Sequence, residues 1–330
     1  MKIVFIASAE SIHSFKWISF FHRLGYEVAW ISFAKTEFKI PEGIHYLEII
    51  HKFKLLALFE GGWRIRRFVS DYKPNLVQIH SVGFYGVLSL FIPRQTPIVA
   101  TPWGSDIIFG KENFLKRVLI QFCLRKARII TCDADHIKKE ILKLTSEGFE
   151  KTRLINFGVD TKRFRKKKIA SIPDSVRFAN KRFNVLSTRN FEDIYDLETL
   201  IRAIPLVRSQ NVDINVILVG SGSQIDYLSL LCEELEVKRE VVFTGRIPND
   251  ELMNYLLSSD LYVSTALSDA GIAASSAEAM ACELPVVLSD TGENSRWVSD
   301  GINGFLFPAK DPVELARTIV RALQLSSAER

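Results

Sequence analysis

Residues 264–287 read STALSDAGIAASSAEAMACELPVV. An apolar run ends at Ser264, and a polar loop containing Asp269 and Gly271 follows. The sequence then turns to small residues with helical spacing over 275–281, and a second apolar run begins at Val286. Strand, loop, helix and strand in that order form a crossover unit of a parallel sheet. The small residues let the helix sit close to whatever faces it, and the loop amides ahead of it suit a phosphate or sugar hydroxyls. Glu278 lies inside the apolar helical run, where a lone carboxylate is costly unless it has a partner. A ribose diol would supply two donors to it, and a neighbouring Arg or backbone group is the simpler alternative.

Working outward, the same alternation fills the second half. Strands are predicted at 183–187, 214–219, 241–244, 261–264, 286–288 and 305–307, with helices at 197–210, 224–235, 250–257, 275–281 and 312–323. The strand at 214–219 ends in Gly220-Ser221-Gly222-Ser223. Glycines there would let a ligand approach the backbone, or would serve a tight strand-to-helix turn. The third glycine of the dinucleotide fingerprint is absent, since residue 225 is Ile. The first half alternates too, with strands predicted at 3–7, 27–32, 76–79, 97–101 and 129–132 and helical spacing at 15–24 and 63–72. Between the halves, Lys166-Lys167-Lys168 and Ser171-Ile172-Pro173-Asp174 break the rhythm. The organisation predicted is therefore α/β, with a doubly wound domain over 1–165, a linker over 166–182 and a second doubly wound domain over 183–330. Ligands of such sheets bind beyond the carboxyl ends of the strands, so a ligand shared by both domains would lie in a cleft between them.

Composition narrows the classes. The chain has 330 residues and a net charge of +5, with 47% hydrophobic and 25% charged residues, as in globular proteins. The charge is split. Residues 1–165 hold 26 basic against 15 acidic side chains, a net of +11, and residues 166–330 hold 17 against 23, a net of −6. A basic first half suits anionic lipid headgroups, a pyrophosphate-linked acceptor or nucleic acid, and a merely solvated basic face fits equally. Cys123, Cys132, Cys232 and Cys282 form no Cys-x-x-Cys pair, which argues against a zinc site or a disulfide framework. The brief apolar run after Met1 reads as a buried strand rather than a signal peptide. No stretch approaches the ~20 apolar residues of a membrane span. These features predict a cytoplasmic protein, with the inner membrane surface as a further location.

At this point the sequence resembles the large retaining glycosyltransferase family 4, which has the GT-B fold of two Rossmann-like domains facing a cleft. The resemblance spans nearly the whole chain. Ala277-Glu278-Ala279-Met280-Ala281-Cys282-x-Leu284-Pro285-Val286-Val287 is similar to the family's helix and following strand. Asp300-Gly301-x-Asn303-Gly304-Phe305-Leu306-Phe307 is similar to its next element, and Ile155-Asn156-Phe157-Gly158-Val159-Asp160 with Phe164 to the close of its N-terminal domain. Thr101-Pro102-Trp103-Gly104-Ser105-Asp106 resembles a subgroup with a Trp-Gly-Ser-Asp loop, associated with surface-polysaccharide or glycan assembly.

The resemblance implies roles residue by residue. Glu278 corresponds to the Glu that binds the donor ribose. Gly271, Ile272 and Ala273 match the loop whose amides meet donor sugar and phosphates, and Gly220 and Gly222 lie on the same donor side. Arg189 resembles the Arg that neutralises the diphosphate, and Gly245-Arg246-Ile247 matches the turn against the nucleobase. His80, ending the strand at 76–79, and Asp106 are further catalytic candidates. Core packing for His80 and capping of the next turn for Asp106 are the alternatives. Glu10 and His13, after the first strand, are candidates for the acceptor side. Trp17 fits a helical core position.

The departures are specific. Family members pair two glutamates eight positions apart, whereas Ala270 stands eight before Glu278 and the nearest acid is Asp269. Asp269 would then substitute through a longer loop, or backbone would make that contact. The Lys that follows the Arg in relatives is missing from 190–196, where Tyr195 stands instead. Glu283 occupies a position where relatives have Gly. A left-handed non-Gly residue costs ~1 kcal/mol, which leaves room for a different turn there. Relatives also continue beyond the helix at 312–323 with a segment that packs back on the N-terminal domain. Its absence would loosen domain closure.

The function implied is transfer of a sugar, with retention, from a UDP- or GDP-linked donor to a glycan, lipid-linked or small-molecule acceptor. No cofactor, metal or nucleic-acid partner is implied. Arg189, the loop amides and a helix N-terminus would stabilise the departing phosphate. Two alternatives stay open: a sugar-nucleotide epimerase of the same architecture and a non-catalytic donor-binding relative. The epimerase is disfavoured because all six histidines precede residue 137. The missing Lys and altered Glu pair speak for the non-catalytic relative.

Overall fold

Short apolar runs build both sheets. The computed structural model describes residues 1–49, 54–108, 113–145, 148–167, 183–269 and 271–328, and they fall into two units, Met1–Asn156 and Phe157–Arg330.

In the first unit the strands are β1 (Lys2–Ile6), β2 (Glu27–Ser32), β3 (His45–Glu48), β4 (Leu76–His80), β5 (Ile98–Thr101), β6 (Ile129–Cys132) and β7 (Thr152–Leu154). They form one sheet in the order β3-β2-β1-β4-β5-β6-β7 with every pair parallel. Parallel sheets are covered on both faces, which is why β1 and β2 read as continuous apolar runs rather than alternating ones. Ile3, Phe5, Ile18 and Trp30 pack together between the sheet and the helix Ile12–Arg23. Buried polar side chains stitch neighbouring strands: Gln78 donates to Thr101 at 3.1 Å, and the Thr101 and Thr131 hydroxyls meet at 2.9 Å.

In the second unit the strands are β8 (Phe183–Ser187), β9 (Ile214–Val219), β10 (Val241–Gly245), β11 (Leu261–Ser264), β12 (Val286–Ser289) and β13 (Phe305–Phe307). The order is β10-β9-β8-β11-β12-β13, again all parallel. The helix Pro312–Ala328 lies against the helix Leu197–Arg208 and buries Leu315, Ile319 and Leu323 in this unit's own core.

Both sheets have a topological switch point, between β1 and β4 in one and between β8 and β11 in the other. Ligands of open α/β sheets bind beyond the carboxyl ends of the strands at such points.

All six strands expected in the second unit are present. Two in the first, β3 and β7, were not foreseen. Both are short edge strands with charged or half-buried side chains, so neither leaves an apolar run in the sequence. Residues 157–165, read above as the close of the first domain, group with the second unit. Phe164 is buried there with Leu186 and Tyr262. The predicted linker 166–182 lies, from residue 168 onward, outside the described residues. The turn after the helix Ala274–Ala281 does not differ as the Glu substitution had suggested. Glu283 takes the left-handed conformation itself, with φ +59°. Leu284 N–H still closes on Ala279 C=O at 3.1 Å, and Lys166 pairs with the Glu283 carboxylate at 3.1 Å.

Among the described residues, no helix is long and apolar enough to cross a membrane, and no group of three or more His, Cys, Asp or Glu is placed to hold a metal. The four cysteines are buried and unpaired.

Candidate functional site

In the second unit, four loops at the carboxyl ends of strands, those after β8, β9, β10 and β11, carry most of this unit's residues singled out above. Arg189 follows β8 and Asp269 follows β11, so the two meet across the switch point. Arg189 Nη2 donates to Asp269 Oδ1 at 2.6 Å, and the side chains are only 9% and 8% exposed. Arg189 Nη1 donates to Ser275 Oγ at 3.3 Å. The guanidinium carbon stands 4.4 Å from the centre of the Tyr195 ring. Tyr195 is fixed in turn, because Thr265 donates to its carbonyl at 2.8 Å. Burial pushes the Asp269 carboxyl up from its ordinary value while Arg189 draws it back. Burial works against the charge on Arg189 too, and Asp269 outweighs it, holding the guanidinium in its charged form. Arg189 Nε and Asp269 Oδ2 are buried and carry no hydrogen bond.

Ser275 belongs to the helix Ala274–Ala281, whose N-cap, Ala273, is extended and offers no side-chain cap. The first N–H groups of this helix therefore point out of its N-terminus without a capping side chain, next to Arg189. Glu278, one turn further along, is buried at 7% exposure.

Packing alone requires the glycines of the Gly-Ser-Gly turn. A Cβ on Gly220 would lie 2.8 Å from the Arg189 carbonyl, and one on Gly222 would collide with the Phe191 carbonyl. They let the 189–191 backbone lie against the turn, which fixes Arg189. Arg246 Nε donates to Ser221 Oγ at 2.8 Å, so the turn after β10 is tied to the turn after β9, and Ile247 packs on the core behind it. Gly271, Ile272 and Ala273 lie between Asp269 and the helix; Ala270 is outside the described residues.

Sequence reasoning missed Gly292. It has φ +59°, and a Cβ there would collide with the Asp269 carbonyl, so only glycine lets the loop after β12 hold Asp269 in place. The signal available was a polar turn, Ser289-Asp290-Thr291-Gly292, directly after an apolar strand.

In the first unit a second group gathers at the β1–β4 switch point. His80 ends β4, is 1% exposed and is enclosed by the rings of Phe5, Trp17 and Trp103. Its Nδ1 lies 3.4 Å from Ser14 Oγ, and its Nε2 is buried without a partner. Burial, with a smaller contribution from His13, pushes its pKa down to about 3, so the ring is neutral. His13 packs on Trp103 at 5.3 Å between centroids. Burial and Lys16 lower its pKa as well. Trp17 is half-buried rather than a core residue. The Asp106 carboxylate accepts N–H groups from Val82 at 2.6 Å, Trp103 at 3.0 Å and Ile107 at 3.1 Å. Asp106 thus ties the loop after β4 to the loop after β5. Glu10 is exposed.

Two family models match this chain. Residues 2–134 match the one described as glycosyl transferase 4-like, and residues 168–330 match glycosyl transferases group 1. By domain composition and fold, the chain is a GT-B glycosyltransferase. The fold match is close to sucrose-phosphate synthase from Thermosynechococcus elongatus, with a TM-score of 0.81 at 16% identity over 99% of this chain and 90% of that one. Anabaena HepE in complex with UDP gives 0.75 at 19% identity, over 99% and 95%. An uncharacterized glycosyltransferase of Methanocaldococcus jannaschii is 34% identical over 128 residues, 38% of this GT-B chain and 32% of that protein. The chain spans between 32% and 63% of the length of the first curated relatives it matches.

Proposed function

We propose that this GT-B chain transfers a sugar, with retention of anomeric configuration and without a metal, from a UDP- or GDP-linked donor to a glycan or lipid-linked acceptor in surface-polysaccharide or glycoconjugate assembly. One observation carries the reading: Arg189 is fixed at the β8–β11 switch point by Asp269, Ser275 and Tyr195, beside an uncapped helix N-terminus. A departing nucleoside diphosphate gains negative charge as the bond to the anomeric carbon breaks. A prepositioned guanidinium and helix amides in a buried setting oppose that charge with little reorganisation. With the diphosphate Lys missing, Arg189 supplies the charge in this reading, and Tyr195, with its ring centre 4.4 Å from the guanidinium carbon, helps to hold it in place.

Glu278 takes the ribose hydroxyls in this reading, and Arg246-Ile247 borders the base. Asp269 is a positioning residue that holds Arg189 until the donor phosphates share it. On the acceptor side, Glu10 and His13 meet the acceptor. His80 and Asp106 act through their neighbours, since one is enclosed by rings and the other is occupied by three amides. In the front-face mechanism implied by family resemblance, the acceptor hydroxyl attacks the anomeric carbon as the phosphate oxygen leaves. That oxygen takes the acceptor proton. Support for a nucleotide-sugar donor comes from the fold likeness to HepE, solved with UDP. Peripheral contact with a membrane through the basic first unit belongs to the same reading.

The test is release of nucleoside diphosphate from a panel of UDP- and GDP-sugars, with and without oligosaccharide and lipid-phosphate acceptors. Acceptor-dependent release, an unchanged anomeric configuration by NMR and indifference to EDTA are expected. Interconversion of the sugar nucleotide without acceptor would replace the transferase with an epimerase. Tight binding with no turnover across the panel would make the chain a donor-binding relative.

A further inference from the structure

One surface of the first unit is apolar where a soluble helix is ordinarily polar. In the helix Phe114–Lys126, Ile120, Cys123 and Leu124 are buried. The opposite face carries Phe114, Leu115, Val118 and Phe122, all exposed, Phe114 at 81%. Phe114, Val118 and Phe122 recur every four residues and share one side of the helix. This helix packs on the 3-10 turn Tyr85–Phe91, which also packs on the helix Lys54–Tyr72. Lys126 crosses the first contact, donating to the Ser89 carbonyl at 2.5 Å and the Ile92 carbonyl at 2.7 Å. Gly62 faces Phe91 at the second. Trp63, next in the chain, is 66% exposed, and Leu90 is exposed between the helices.

Cations lie among these side chains. Burial, then the charges of Arg94 and Arg66, lower the Lys126 pKa, which places three cations within electrostatic reach of one another. Arg66 is one helical turn from Trp63, and Lys126 one turn from Phe122. Clustered like charges repel unless an anionic surface faces them. The exposed aromatic and aliphatic side chains between them would gain by leaving water.

We propose that this face, built from the helices Lys54–Tyr72 and Phe114–Lys126 with the turn between them, docks on an anionic phospholipid bilayer. Phe114, Phe122 and Trp63 enter the headgroup region there, and Arg66 and Arg94 meet lipid phosphates. Both halves of the chemistry are required: a nucleic acid would use the cations and leave the Phe and Leu side chains in water, whereas a second copy of the chain would bring the cations against themselves. The proposal deepens the peripheral membrane contact suggested above by naming its surface and its lipid. It is independent of the donor site, so each can fail without the other.

Sedimentation of the full chain with phosphatidylcholine vesicles, with and without phosphatidylglycerol, tests it. Binding is expected only when phosphatidylglycerol is present and should fall with salt. Arg66→Gln/Arg94→Gln should weaken it by about fivefold per charge. Phe114→Ser/Phe122→Ser should weaken it by about tenfold or more, with circular dichroism and UDP-sugar turnover in solution unchanged. Equal binding to neutral vesicles, no binding to either, or binding insensitive to both double variants would overturn the proposal. So would a dimer in light scattering that Phe114→Ser/Phe122→Ser dissolves, since the face would then join two copies.

Discussion

Arg189 and Asp269 are eighty residues apart in sequence and 2.6 Å apart in space. The contact exists because the strand order reverses between β8 and β11, bringing the loops that follow them side by side. It places the one cation argued to face the leaving group under the control of a carboxylate. Stability and catalysis therefore become separable by mutation.

Arg189→Ala leaves Asp269 buried without its partner, which should cost about 3–5 kcal/mol of stability. It should also lower kcat/KM by roughly a hundred- to a thousandfold. Arg189→Met/Asp269→Leu removes both charges, so urea denaturation should show stability near that of the parent. Turnover should stay low in both variants. Recovery of activity in the double variant would mean that the single change acted only by unfolding the protein.

Gly292→Ala forces a Cβ into the Asp269 carbonyl at a backbone φ of +59°. It should destabilise by more than about 1 kcal/mol and reduce turnover together with it. Gly158→Ala, where a Cβ meets nothing within 4 Å, is the control and should change neither. Similar melting temperatures for the two variants would show that the loop after β12 does not hold Asp269.

Much of this arrangement was legible in the sequence. The second unit's strands announce themselves as apolar runs because both faces of a parallel sheet are buried, and all six were placed. The edge strands β3 and β7 were not, since HYLE and TRL carry no such run. Glu278 stood out as a carboxylate inside an apolar helical run, whereas Arg189 and Asp269 were named through the family resemblance. That Asp269 grips Arg189, and that Gly292 is needed for it, depends on contacts across eighty and twenty-three positions, which no local pattern encodes. The Gly-Ser-Gly turn shows the converse: its glycines were visible, but what they make room for is the 189–191 backbone.

His80 contributes a pH dependence of known sign. Burial depresses its folded pKa to about 3 from the ordinary histidine value of 6.5, so between those values the unfolded chain binds the extra proton. Stability is full above the unfolded pKa and is lost as pH falls toward the folded one, at ~1.4 kcal/mol per pH unit. His80→Gln should flatten that slope relative to the parent in urea titrations between roughly pH 6 and 4. An unchanged slope would mean that the ring is not held neutral by burial.

Glu278→Gln keeps the shape of the side chain and removes its charge. Calorimetry should show nucleotide affinity falling by roughly ten- to a hundredfold, because a charge-assisted hydrogen bond becomes a neutral one. Unchanged affinity with lowered thermal stability would instead make Glu278 a structural residue.

The most direct measurement is a crystal structure of the chain with UDP or GDP bound. The account places the diphosphate against the Arg189 guanidinium and the first N–H groups of the helix Ala274–Ala281, with the ribose hydroxyls on Glu278. A nucleotide bound away from these groups, with the Arg189–Asp269 pair untouched, would contradict it.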